Sequence, residues 1–204
     1  MNVFGRMVKM TVALSALMVS LMNGTVYAAN ITELIASGDA VYYQQPESYR
    51  SAANSYFERV PNSVIMLFKQ NGGSIHYTDS VLVGQQDVNG IYTFDSKQIS
   101  LKTTSNNNSW DEVQKAPVHE MGHFIYHTTQ PMFTDQMKAD INKLYNERKS
   151  FDKRCYNEDE TFAALYSDYI KFDYRSGARP MPSPEYRVFA QAEMLCEQML
   201  TYAV

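Results

Sequence analysis

Cysteine is scarce in this chain. Cys155 and Cys196 are the only two in 204 residues, which leaves room for one bridge at most. Long apolar runs are missing too. The one sustained stretch, Thr11 to Leu21, is too short to cross a bilayer comfortably. No internal repeat and no long low-complexity linker interrupts the sequence. Excess basic charge is also absent. The formal charge is −4, which argues against nucleic acid or an anionic membrane as the main partner.

The N-terminus carries Arg6 and Lys9, then the apolar run, then Val26-Tyr27-Ala28, a small-x-small cleavage pattern. Residues 1–28 are therefore expected to be a secretory signal peptide. Residues 29–204 are expected to be a single secreted, extracellular domain, large enough for a sizeable core and monomeric. Losing Arg6 and Lys9 moves the charge from −4 to −6. Outside the cell, Cys155 and Cys196 either pair, closing a long loop, or stay as two separate buried thiols.

Apolar spacing predicts a helix over 49–60 and a second opened by Pro61 and closed at Asn71-Gly72-Gly73. A strand is expected over 74–78. A hairpin is expected from Ile91–Phe94 and Gln98–Thr103 around Asp95-Ser96-Lys97, followed by a polar loop at 106–109. Pro117 either opens the next helix or sits inside a longer one starting near Trp110. Helices are expected over 134–148, from Asn157 to about Phe172, and from a cap at Ser183 to about Tyr202. The fold class is α+β, helix-dominant, with a small mixed sheet preceding the helix that carries the motif described next.

That motif is His119-Glu120-Met121-Gly122-His123, an HEXXH run, and His127 follows it. Three of the chain's four histidines thus lie within nine residues. On a helix, His119 and His123 sit one turn apart and about 40° apart around the axis. Neutral imidazoles so placed can share one Zn²⁺, and Glu120 projects beside them to act as general base toward a zinc-activated water. A catalytic zinc needs a third protein ligand. His127 continues the spacing, but three ligands along a straight helix span about 12 Å, too far for bonds of about 2.1 Å. His127 is therefore expected to support a ligand or lie on the surface. The metzincin pattern would place a third histidine where Thr129 stands.

The remaining candidates are downstream carboxylates. The helix opening at Asn157 has a bulky stripe of Phe162, Leu165, Tyr166, Tyr169 and Ile170. Glu160 lies on its other side with Ala163, Ala164 and Ser167, small residues that let another helix come close. Glu160 could instead complete a capping box with Asn157, and Glu158 and Asp159 suit a helix N-terminus. Spacing alone leaves both readings open.

The HEXXH run, with Asn157-Glu158-x-Glu160-x-Phe162-Ala163 about forty residues later, resembles the catalytic domain of anthrax lethal factor. It is also similar to the small secreted Pro-Pro endopeptidases of the same superfamily. Phe68 to Asp79 adds a weaker likeness to the helix-to-strand passage of those domains. The resemblance covers roughly residues 47–172. It implies a zincin-like fold and a secreted zinc metalloendopeptidase acting on protein or peptide. It also implies Glu160 as third ligand beside His119 and His123. The family places an oxyanion-assisting tyrosine seven residues before that ligand, where this chain has Lys153. Tyr156 could replace it as a catalytic residue, Lys153 could offer its charge, or Tyr156 could simply pack at the helix entrance. Four residues after the ligand the family has an acid where Ala164 stands here. Asp168 could take over that supporting role. The substrate is expected to lie along the Gln98–Thr103 strand. The alternative function is an exported zinc-containing binding module with little or no catalysis. A fourth protein ligand closing the site would mark it, whereas an open cleft would mark the enzyme.

Overall fold

A computed structural model describes residues 30–103 and 110–202. The expected signal segment (1–28), the polar loop at 106–109 and the side chain of Trp110 lie outside the described residues. The architecture is α+β, mostly helical, with a small mixed sheet.

Two short helices, α1 (Ala40–Gln44) and α2 (Glu47–Phe57), lead into α3 (Asn62–Gln70). Pro46 and Pro61 occupy the N-cap positions of α2 and α3. Gly72 ends α3 at φ 79°, a left-handed conformation that glycine adopts without a Cβ penalty. The strands are β1 (Ser74–Thr78), β2 (Leu82–Val83), β3 (Gln86–Asp87), β4 (Gly90–Thr93) and β5 (Gln98–Lys102). Then come α4 (Trp110–Thr129), α5 (Asp135–Arg148), α6 (Glu158–Lys171) and α7 (Arg187–Tyr202). The sequence passes over α1 and the β2–β3 hairpin, both too short for a hydrophobic period to register. Pro117 lies inside α4 rather than at its start. Ser183 precedes a 3-10 turn at Pro184–Tyr186 and makes no side-chain capping bond, so α7 opens later than the serine suggests.

The sheet order is β1-β5-β4, with β1 parallel and β4 antiparallel to β5. Alternation points Ile75, Tyr77, Ile99 and Leu101 into the core. This topology corrects one expectation. The Gln98–Thr103 strand is central, bonded on both sides, and has no free edge for a substrate. The outer edge of β1 is also covered: Ile75 N–H donates to Leu34 O (2.8 Å), Ala36 N–H to Ile75 O (3.0 Å), and Tyr77 N–H to Asp39 Oδ2 (2.8 Å). Among the described residues, the open edge of this sheet is β4.

Helix α4 is central, with Val118, Met121, Phe124 and Ile125 fully buried. The sheet meets it through β4 and β5, and α6 packs along it more extensively than any other element. Among the described residues, no helix is long and apolar enough to cross a membrane. Cys155 and Cys196 are both buried and unpaired, so the alternative of two separate thiols is the one adopted.

Candidate metal centre

Helix α4 carries His119, Glu120 and His123 on its cleft side. What brings α6 to them is the glycine within the motif. A Cβ on Gly122 would sit 2.8 Å from the Ala163 Cα, so the two helices meet backbone against backbone with no room for a methyl. Ala163 and Ala164 are fully buried on that face of α6, which is the close approach their size allows.

The start of α6 decides where Glu160 points. The Asn157 side chain caps the helix by accepting the Glu160 N–H at 2.7 Å. The reciprocal half of a capping box is not made, because the Glu160 carboxylate turns to the histidines. Its Oε2 lies 3.4 Å from His119 Nε2 and its Oε1 lies 3.7 Å from His123 Nε2, while the two Nε2 atoms are 3.2 Å apart. Donors at about 2.1 Å from a tetrahedral ion are separated by about 3.4 Å. The three residues therefore fit a metal of that kind, with one face of the donor triangle toward the cleft. Burial alone would raise the Glu160 pKa. Hydrogen bonds from His119 and Tyr156, with the charge of His123, hold it down at about 2, so the group is an anionic donor.

Glu120 is buried at the base of the cleft. Burial pushes its carboxyl upward, against the pull of His119 and His123, and the Tyr92 backbone N–H donates to it. Gly90 makes space for it, since a Cβ there would come within 2.9 Å of Glu120 Oε1. The bond from Tyr92 follows from β4's edge position. Lys102 N–H donates to Asn89 O at 2.9 Å. Alternation along an antiparallel ladder then turns Gly90 and Tyr92 outward, away from β5.

The surroundings separate the remaining expectations. Tyr156 lines the cleft, 65% exposed, and donates its hydroxyl to Glu160 Oε1 at 2.7 Å. That bond pushes the phenol up to about 12. Tyr156 is thus at the site and not packed at the helix entrance. Lys153 is exposed and does not line the cleft. Its neighbour Arg154 does, bonded to Asp152 Oδ2 at 2.7 Å and Asp168 Oδ2 at 3.2 Å. Asp168 also pairs with Lys115 at 3.1 Å. It braces these two cations and not a histidine, which corrects the supporting role expected of it.

That role falls instead to Asp159, which sequence reasoning treats only as a helix-start acid. Its Oδ1 lies 2.7 Å from His123 Nδ1 and its Oδ2 lies 2.9 Å from His127 Nε2. An ionised carboxylate only accepts, so both imidazoles donate to it. His123 then carries its proton on Nδ1 and keeps the Nε2 lone pair for a metal. Burial would lower the His123 pKa, but the Asp159 bond and nearby carboxylates raise it. His127 lies outside the His119–His123–Glu160 triangle, but with His123 and Asp159 it forms a second, overlapping group whose ligand atoms lie within 4.8 Å of one another. The available signal for Asp159 was its helical spacing: it directly precedes Glu160 on the edge of α6 that faces α4.

His119, Glu120, His123, His127, Tyr156, Asp159 and Glu160 open onto a cleft of about 680 Å³ bounded by β4, the β2–β3 hairpin, α4 and the start of α6. The chain matches no known family model, no curated protein and no solved structure.

Proposed function

We propose that the protein is an exported zinc metalloendopeptidase of zincin-like type, resembling the lethal factor and Pro-Pro endopeptidase group. The observation that carries this reading is the donor triangle of His119, His123 and Glu160, open to a cleft, with a buried carboxylate from the same HEXXH run beside it. Three nitrogen and oxygen donors with an open face suit a catalytic zinc. A structural site would be closed by a fourth protein ligand. The nearest candidate for that closure, His127, is bonded to Asp159 on the far side of the His123 ring.

When bound, zinc supplies a Lewis acid that brings the pKa of a water toward about 7. The other steps fall to the chain's own groups. Glu120 accepts the proton from that water and returns it to the leaving amine. Its raised pKa brings the carboxyl nearer working pH, which is where a proton shuttle is most effective. Tyr156 remains a protonated donor at neutral pH and can turn from Glu160 to the substrate's carbonyl oxygen as negative charge develops there. Arg154 and Lys115 already share Asp152, Asp168 and Asp111, so neither brings an unbalanced charge to the cleft.

The substrate is a protein or peptide lying extended along β4. The outward backbone groups of Gly90 and the Tyr92 carbonyl would add it as a further strand. This replaces the central strand expected from sequence. It also explains why the edge residue nearest Glu120 is a glycine: a side chain there would displace the base.

The test offers a diverse peptide library to purified protein, with and without chelator, and reads cut sites by mass spectrometry. Cleavage should be chelator-sensitive. Glu120→Ala should keep zinc and lose about 10²–10⁴-fold in rate, while Glu160→Ala should lose zinc. Wild-type cleavage by Glu120→Ala would overturn the mechanism.

A further inference from the structure

We infer that His127 and Asp159 act together as positioning residues, holding His123 in the tautomer and orientation that the metal requires. This inference rests on the zinc-site reading above.

The HEXXH run and the downstream glutamate account for the donor triangle and the base, but not for His127. His127 is not part of the His119–His123–Glu160 triangle. The overlapping group it forms with His123 and Asp159 shares His123 with that triangle, so an ion held by the triangle leaves His127 and Asp159 as hydrogen-bonding partners. The His127 Nε2 points to Asp159 and not to water. Asp159 spreads its two oxygens over two rings from the same helix, His123 at 2.7 Å and His127 at 2.9 Å. A carboxylate bonded to His123 alone could rotate about its own side chain and tilt the imidazole with it. Anchoring the second oxygen removes that rotation.

The His127 ring is itself held. Tyr126, Phe94 and Tyr92 lie 5.7, 5.3 and 6.3 Å away, centroid to centroid. Tyr126 meets it edge-on at 87°. Contacts with α4 and with the β4 end of the sheet thus fix the plane of His127. That plane fixes Asp159, and Asp159 fixes His123. The chain of contacts runs from the rim of the cleft to a ligand nitrogen. It accounts for a half-exposed histidine that neither motif explains.

The experiment measures zinc affinity by competition with a chromophoric chelator, alongside circular dichroism and thermal unfolding of the metal-free proteins. His127→Phe preserves the aromatic contacts but removes the donor, whereas His127→Gln keeps an N–H near the position of Nε2. Asp159→Asn should weaken zinc binding about 10–100-fold. His127→Phe should weaken it by a smaller factor, and His127→Gln should restore most of the loss. A general packing role would not separate phenylalanine from glutamine in this order. Folded Asp159→Asn and His127→Phe proteins that bind zinc like wild type would overturn the inference. If Asp159→Asn does not fold, the His127 pair decides alone. A wild-type protein that binds no zinc would instead sink the metal-site reading itself.

Discussion

Helix α6 carries a carboxylate site on each side, and the two are managed in opposite ways. On the cleft side, Glu160 faces His119, His123 and the Tyr156 hydroxyl, and these donors keep it ionised despite partial burial. On the core side, Tyr166 of α6 meets Glu193 of α7, donating at 3.0 Å, with Arg175 more distant at 3.8 Å. Glu193 is only 7% exposed, and burial pushes it up to about 7 against the pull of Arg175 and Tyr166. Burial opposes ionisation at both sites. The number of donors aimed at each group decides the outcome: Glu160 stays an anion, and Glu193 becomes an acid poised between forms.

The comparison is sharpest at Tyr156. If it serves the oxyanion, Tyr156→Phe should lower kcat by about 10²-fold while zinc affinity stays near wild type. A fall in zinc affinity with little change in kcat would mean that its hydroxyl serves Glu160 instead, and the cleft side would owe its anion to that donor.

Glu193 offers the opposite test. Its folded pKa of about 7 lies above the ordinary carboxyl value of 4.5. The native state therefore holds the proton more tightly than the unfolded chain does. That contribution is fully present below about pH 4.5 and is lost as pH rises toward about 7. Glu193→Gln should match wild type near pH 4 and exceed it by about 3 kcal/mol at pH 8 in urea unfolding. Identical pH profiles for the two proteins would mean that the core site holds its carboxylate ionised, as the cleft site does.

The smallest effect is expected at the joint between the two helices. Gly122→Ala places a methyl against the Ala163 backbone and should cost about 1–2 kcal/mol in unfolding free energy. It should also weaken zinc binding, because the displaced α6 carries Glu160. An unchanged zinc affinity would show that Glu160 is positioned by its own helix start and not by the helix packing.

Much of this molecule was legible in one dimension. The strand at 74–78, the hairpin around 95–97 and the helices from 49 onward follow from spacing and turn residues, because these are local properties. His119 and His123 needed only the helical period. Glu160 needed more. Its small-residue face showed that another helix could approach, but the same residue fitted a capping box equally well. The choice between them depended on where α4 lies.

Asp159 and Asp168 show the same limit. Both are acids at the right end or face of α6, and nothing in their neighbours distinguishes the one that reaches a histidine from the one that reaches Lys115 and Arg154. The substrate edge was also beyond reach, because strand order is a long-range matter: β5 looked available until β1 and β4 were found on either side of it.

The sequence by itself therefore determined most of the helices and strands and the placing of His119, Glu120 and His123 on one helix, all set by contacts within a few residues. Tertiary structure alone decided the rest. It turned Glu160 from cap to donor, made Asp159 and His127 a support for His123, and left β4 as the open edge. Each of these depends on a residue distant in the chain, and backbone spacing carries no information about which distant group will arrive.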